Sequence, residues 1–158
     1  MQDLSSNELR IVFGQYPTGV TVITALDAYD EPVGMTANSF ASVSLSPPLI
    51  LWSVDLAGGS HDVYTTATHF CVHLLAEDQQ ELANRFANRE EDRFAGIDWT
   101  KGKFGSPLLP NYLCRIQCQR EKVLDGGDHS IILGRVHSIE TTDEQKPLVF
   151  HQGKYKRL

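Results

Sequence analysis

Residues 112–124 and 130–142 are two strand-length runs of equal length, and between them stands Asp125-Gly126-Gly127-Asp128. A Gly-Gly pair flanked by aspartates accepts the backbone angles of a tight hairpin turn, so the two runs read as one long antiparallel hairpin. Further strands are predicted at 20–26, which is rich in β-branched residues, at 32–36, at the apolar run 49–54, at 70–75 and at 149–151. Helices are fewer. Ser5 and Glu8 form a capping-box pattern that starts a helix over about 6–15. Residues 61–68 suit a short helix after the Gly58-Gly59 break. The best helical pattern lies at 77–88, where Leu82, Ala83, Phe86 and Ala87 make one apolar stripe. Residues 89–110 read as irregular, and the end of the chain as a basic tail. Many strands separated by turn signals, with few helices, predict a mainly β fold built on a closed antiparallel barrel, in a single domain spanning 1–158. A parallel Rossmann sheet would need long helices between its strands. Neither GxGxxG nor GxxxxGK[ST] occurs, so neither standard phosphate loop is present.

Charge narrows the partners. The chain carries a net charge of −6 and has no basic cluster, which argues against nucleic acid and anionic membranes. No apolar stretch approaches the ~20 residues of a membrane span, and the N-terminus lacks a signal-peptide layout, so a cytoplasmic protein is expected. Three cysteines leave an odd thiol. Cys114 and Cys118 sit four residues apart on one predicted strand, roughly 13 Å, too far for a disulfide, and buried free thiols are expected.

The segment Gly34–Pro48, GMTANSFASVSLSPP, is too rich in Thr, Ala, Asn and Ser to fill a core. It brings backbone N–H groups and short polar side chains, Thr36, Ala37, Asn38 and Ser39, to one place. That chemistry suits a planar ligand with a phosphate; a plain polar loop is the alternative. His129 closes the hairpin turn and opens a strand, where it either caps its own turn through Asp128 or faces a neighbouring site. His69, Cys71 and His73 alternate along one strand, but positions two apart are ~6.6 Å apart and do not converge on one zinc, so no metal site is expected. Glu90-Glu91-Asp92 reads as a solvated charge run rather than an acid–base pair. No serine or cysteine shows a convincing nucleophilic triad.

Three motifs, Thr18-Gly19-Val20, the long segment GMTANSFASVSLSPPL and the turn Gly127-Asp128-His129, resemble the flavin reductase family, the small reductase components of two-component flavin-dependent monooxygenases. Residues 70–79, Arg85-Phe86-Ala87 and Gly153-x-Tyr155 extend the resemblance over nearly the whole chain. The resemblance implies a split β-barrel, a homodimer, and NADH- or NADPH-dependent reduction of FMN or FAD for a partner monooxygenase. It implies flavin contacts from Thr36, Asn38 and Ser39 with backbone help from Ala37, from Ser53 and Ser60 on the ribityl and phosphate side, and from Arg85 on the phosphate. It places His129 beside the nicotinamide. His73 departs from the asparagine usual at its strand position, which bears on local hydrogen bonding near the flavin. A non-catalytic flavin carrier or redox sensor is the alternative on the same barrel. A flavin oxidase resembling the pyridoxamine-phosphate oxidases is a third reading, disfavoured by the lack of a basic cluster for a phosphorylated substrate.

Overall fold

The computed structural model describes residues 4–89, 92–142 and 145–158. In chain order the elements are α1 (Ser6–Phe13), β1 (Thr18–Gly19), β2 (Thr21–Leu26), β3 (Pro32–Ala37), β4 (Ala41–Leu45), β5 (Pro48–Asp55), α2 (His61–Thr66), β6 (His69–Leu74), α3 (Gln80–Ala87), β7 (Thr100–Lys101), β8 (Pro107–Leu108), β9 (Cys114–Asp125), β10 (His129–Thr141), β11 (Val149–His151) and β12 (Lys154–Lys156). The predicted hairpin is β9–β10, within two residues of the expected ends. Its turn works as its residues suggest: Gly127 has φ 81°, and the Asp125 carboxylate accepts the Gly127 N–H at 3.0 Å.

Seven strands form one antiparallel sheet in the order β3-β2-β6-β9-β10-β5-β4. The two edge strands, β3 and β4, follow each other in sequence, joined only by Asn38, Ser39 and Phe40. The sheet therefore curls until its edges lie one short connection apart, yet no ladder joins them. This is a split β-barrel, open along the β3/β4 seam, rather than the closed ladder expected from strand count. Two register shifts in β9–β10, at Leu133/Gly134 and Val136/Ser138, mark irregularities that bend such a hairpin.

The barrel interior holds Ile23, Ala25, Ala37, Ile50, Trp52, Val54, Phe70, Val72 and Ile132, with Tyr64 of α2 closing one end. Tyr64 donates its hydroxyl to the Ile23 carbonyl at 2.9 Å. A second core lies outside the barrel wall, where Val20, Val22 and Leu75 meet Ala83 and Phe86 of α3 and Leu109 and Leu148. β2 serves both, with Ile23 and Ala25 facing in and Val22 facing out, which is why it reads as an unbroken apolar run. At Gly34 a Cβ would fall 2.4 Å from Cε1 of Phe86; glycine there lets the α3 ring lie directly on the β3 backbone.

Several short strands, β1 among them, are additional to the sequence reading. β4 is a true edge strand inside the polar segment. The region read as irregular carries the β7–β8 hairpin, which covers the outer face of β2, β6 and β9: Thr24 donates to the Pro107 carbonyl at 2.5 Å and the Leu109 N–H donates to His73 Nε2 at 3.0 Å. The basic tail is β12, paired with β11. α1 keeps its capping box, with the Glu8 N–H on Ser5 Oγ and the Ser5 N–H on Glu8, but none of its residues is buried.

Candidate functional site

The open seam sets up the site. β3 pairs only with β2, so one of its backbone edges is free of ladder bonds. Arg93 donates to the Gly34 carbonyl from that side at 2.6 Å. Backbone groups of alternate residues share an edge, so the N–H and C=O of Thr36 point the same way. The Ala37 carbonyl points oppositely and accepts the Thr21 hydroxyl at 2.7 Å.

Beside this edge lies a cleft of about 440 Å³, lined by Met35, Thr36, Val54, Asp55, Gly58, Gly59, Ser60, Phe86, Ala87, Arg89 and Arg93. Its lining mixes apolar side chains, Met35, Val54, Phe86 and Ala87, with the polar Thr36, Asp55, Ser60, Arg89 and Arg93, the ordinary make-up of a cofactor site of that size. The loop from β5 to α2 forms one wall. It is folded on Asp55, whose Oδ1 accepts the Ala57 N–H at 2.8 Å and whose carbonyl accepts the Gly58 N–H at 2.9 Å. The loop is also tied to the hairpin turn: the Leu56 N–H donates to the Asp128 carbonyl at 3.0 Å, and His61 Nε2 lies 2.9 Å from Ser130 Oγ. The opposite wall carries two guanidinium groups. Arg93 is fixed by its bonds to Gly34 and to the Asn88 carbonyl, at 2.6 Å each. Arg89 is two-thirds exposed and lies 3.6 Å from Asp55.

His129 stands at the head of β10 and is the register partner of Asp55. His129 and the cleft wall are thus adjacent strand ends. Its Nδ1 lies 2.7 Å from the Asp128 carboxylate. A carboxylate only accepts, so Nδ1 carries the proton, and the tautomer this selects has Nε2 as its acceptor. The same bond holds the Asp128 carboxyl below its usual range. The turn-capping contact uses Nδ1 alone and so is compatible with a role for Nε2.

The remaining expected residues are spread along the seam. Thr36 and Ser60 line the cleft together; the Thr36 hydroxyl also donates to the Ala83 carbonyl at 2.6 Å and ties β3 to α3. Ser39 and Ser53 are joined across the seam, the Ser53 N–H donating to Ser39 Oγ at 2.9 Å. Asn38 lines a separate hollow of about 60 Å³ with Thr21, Phe40 and Leu74. Arg85 does not line the cleft: its guanidinium donates to the carbonyls of Ala95 and Asp92. The arginines that line the cleft are Arg89 and Arg93. No spacing rule singles them out, because they follow the end of α3 and reach the cleft only through the turn of the chain.

His73 is fully buried; Nδ1 faces the Val22 carbonyl at 3.2 Å and Nε2 accepts from Leu109. Burial pushes its pKa down to about 3. Both ring nitrogens are spent on backbone, away from the cleft. The cysteines are free, and burial pushes the Cys118 thiol up to about 12. Of the run Glu90-Glu91-Asp92, the first two lie outside the described residues.

A split barrel whose seam carries a cleft with two guanidinium groups suits a ligand with a phosphate end, as in the flavin-binding proteins of this architecture, and the comparisons narrow the class. The model of the flavin reductase like domain matches residues 13–158, and the chain belongs to that family. It is 44% identical over 152 residues to the flavin-dependent monooxygenase reductase subunit HsaB of Rhodococcus jostii, covering 96% of this chain and 77% of that one. It is 42% identical over 154 residues to the FMN reductase (NADH) SmoA of Agrobacterium fabrum, covering 98% and 87%. The NADH:FAD oxidoreductase SgcE6 of Streptomyces globisporus, solved in complex with NAD and FAD fragments, superposes with a TM-score of 0.91 at 37% identity, covering all of this chain and 97% of the other.

Proposed function

We propose that the protein is an NADH- or NADPH-dependent flavin reductase that reduces FMN or FAD and supplies the reduced flavin to a partner flavin-dependent monooxygenase. The observation that carries this reading is the adjacency of His129 to the cleft through its register pairing with Asp55. The family and the relatives named reductase subunit, FMN reductase and NADH:FAD oxidoreductase support it.

The residues present fit a flavin. Ser60, Arg89 and Arg93 would hold its phosphate end, since guanidinium groups match phosphate oxygens. The backbone of Thr36 on the open β3 edge, with Ala37, Asn38, Ser39 and Ser53 along the seam, would hold the ring and ribityl side. When bound, the flavin supplies the hydride acceptor N5, to which nicotinamide C4 delivers. His129 has a positioning task. Its Nε2 accepts an N–H of the nicotinamide carboxamide, and Asp128 keeps the ring in the tautomer that does so. No side chain need act as acid or base at the reacting carbon.

A homodimer is part of the proposal. Phe13 and Val12 of α1 and Leu45 of β4 are exposed at 69%, 63% and 94%, apolar side chains that a second subunit would cover. The described residues include no helix long and apolar enough to cross a membrane, and we assign the single domain to the cytoplasm. The test is steady-state oxidation of NADH and NADPH with FMN and with FAD, together with sedimentation. Turnover by a dimer supports the reading. A tightly yellow protein without turnover in any of the four combinations would refute the enzyme and leave a carrier.

A further inference from the structure

The cleft that presents Arg89 and Arg93 also contains a carboxylate, which an anion site would not be built with unless it had a use. The two oxygens of Asp55 have different partners. Oδ1 accepts the Ala57 N–H at 2.8 Å and shapes the loop. Oδ2 faces Nη2 of Arg89 at 3.6 Å and does nothing for the loop. Both side chains line the same cleft. They also differ from Arg93, whose guanidinium is fixed on two backbone carbonyls. Arg89 is the more exposed and less bonded cation of the pair, and its side-chain partner among the described residues is Asp55.

We propose that Asp55 is an internal competitor for Arg89 that weakens the hold on the phosphate end of the flavin and so sets its rate of exchange. The proposal rests on the flavin reductase reading above. Affinity is a difference between bound and free states, and a ligand that must first take Arg89 from Asp55 keeps less of the contact as net binding. The carboxylate that remains then lies near the incoming phosphate and repels it. A reductase that hands its product to another protein needs such a brake on retention. Arg93 supplies recognition that persists in both states, while the Asp55–Arg89 pair makes the rest of the phosphate contact reversible.

The substitution Asp55→Asn separates the two oxygens' roles, because an amide oxygen still accepts from Ala57 while the charge is gone. Dissociation constants for FMN and for riboflavin, which lacks the phosphate, are measured by flavin fluorescence quenching, and FMN release by stopped flow. The proteins are wild type, Asp55→Asn, Arg89→Ala and the double variant. Expected for Asp55→Asn is FMN binding about three- to tenfold tighter with correspondingly slower release, as suits one partly exposed charge pair. Riboflavin binding should stay within about twofold, and the gain should vanish when Arg89 is also Ala. Asp55→Ser, with a shorter acceptor for the Ala57 N–H, repeats the measurement should the Asn protein fold poorly. Unchanged or weaker FMN binding in Asp55→Asn, with Arg89→Ala still weakening FMN, overturns the competitor role while leaving the phosphate site standing. FMN and riboflavin binding alike in every variant would overturn both.

Discussion

The imidazole of His129 and the carboxylate of Asp128, adjacent in sequence, are 2.7 Å apart, and this one contact decides which ring nitrogen carries the proton. With Nδ1 donating to Asp128, Nε2 is left to accept. His129→Ala should therefore raise the KM for NADH by about tenfold, the size of one lost hydrogen bond to a bound group, and leave the FMN dissociation constant within about twofold. Asp128→Ala should act in the same direction but less, because it frees the ring without removing it. The pair of measurements, NADH kinetics and flavin titration on each variant, checks this. A loss of flavin binding in His129→Ala would instead put the imidazole on the flavin.

The arginines near α3 divide into two kinds. Arg85 donates to the carbonyls of Ala95 and Asp92 and so fastens the segment after α3, whereas Arg93 bridges Asn88 and Gly34 at the cleft. Arg85→Ala should lower stability by about 1 kcal/mol, as for loss of exposed hydrogen bonds, with FMN affinity unchanged. Arg93→Ala should weaken FMN binding at least tenfold as well as lowering stability. Urea unfolding and FMN titration of both variants decide between the two arginines as phosphate partners. Tenfold weaker FMN binding in Arg85→Ala would return the phosphate role to Arg85.

What the sequence could and could not reveal follows from the range of the forces involved. The β9–β10 hairpin and the α1 cap were legible because their signals are local: a Gly-Gly turn flanked by aspartates, and a serine three residues before a glutamate. The small-sided segment is only partly as its composition suggests: Thr36 lines the cleft, but Ala37 turns into the barrel interior. β4 was hidden inside that segment, since an edge strand with Val43 and Leu45 facing outward looks like a polar loop. Arg89 and Arg93 were missed for a different reason. Their place on the cleft depends on where the chain travels after α3, and the long-range contact of Arg93 with Gly34 leaves no spacing in the sequence. His73 shows the reverse case: its departure from a family pattern drew attention to the flavin side, yet its ring is committed to Val22 and Leu109 on the outer face of the sheet.

Gly34 links the site to the second core. A methyl group there would meet the Phe86 ring at 2.4 Å, and both the ring and β3 are held from the other side, so neither yields freely. Gly34→Ala should cost about 1–3 kcal/mol, the range for overpacking. Because Phe86 and Ala87 also line the cleft, FMN binding should weaken in parallel. Denaturant titration and FMN titration of the same protein test the coupling. Full stability in Gly34→Ala would show that α3 docks less tightly on β3 than the contact implies.

The buried imidazole of His73 makes stability depend on pH in a defined window. Desolvation lowers its folded pKa to about 3, against 6.5 in an unfolded chain, so the folded protein keeps it neutral. Between those values the unfolded state binds a proton that the folded state refuses. The contribution is therefore fully present above pH 6.5, falls as the pH drops through the window and is exhausted only near the folded value. At pH 4.5 the loss relative to pH 7 should be about 2–3 kcal/mol, two units below the unfolded pKa at 1.36 kcal/mol each. Replacing His73 by Asn removes the titrating group. Whatever its absolute stability, the variant should lose that much less between pH 7 and pH 4.5 than the wild type. Urea unfolding of both proteins at the two pH values isolates the difference, since the surface carboxylates common to both cancel. Equal pH slopes would mean that the ring takes up its proton in the folded state, and hence that its hydrogen bonds to Val22 and Leu109 do not hold it in place.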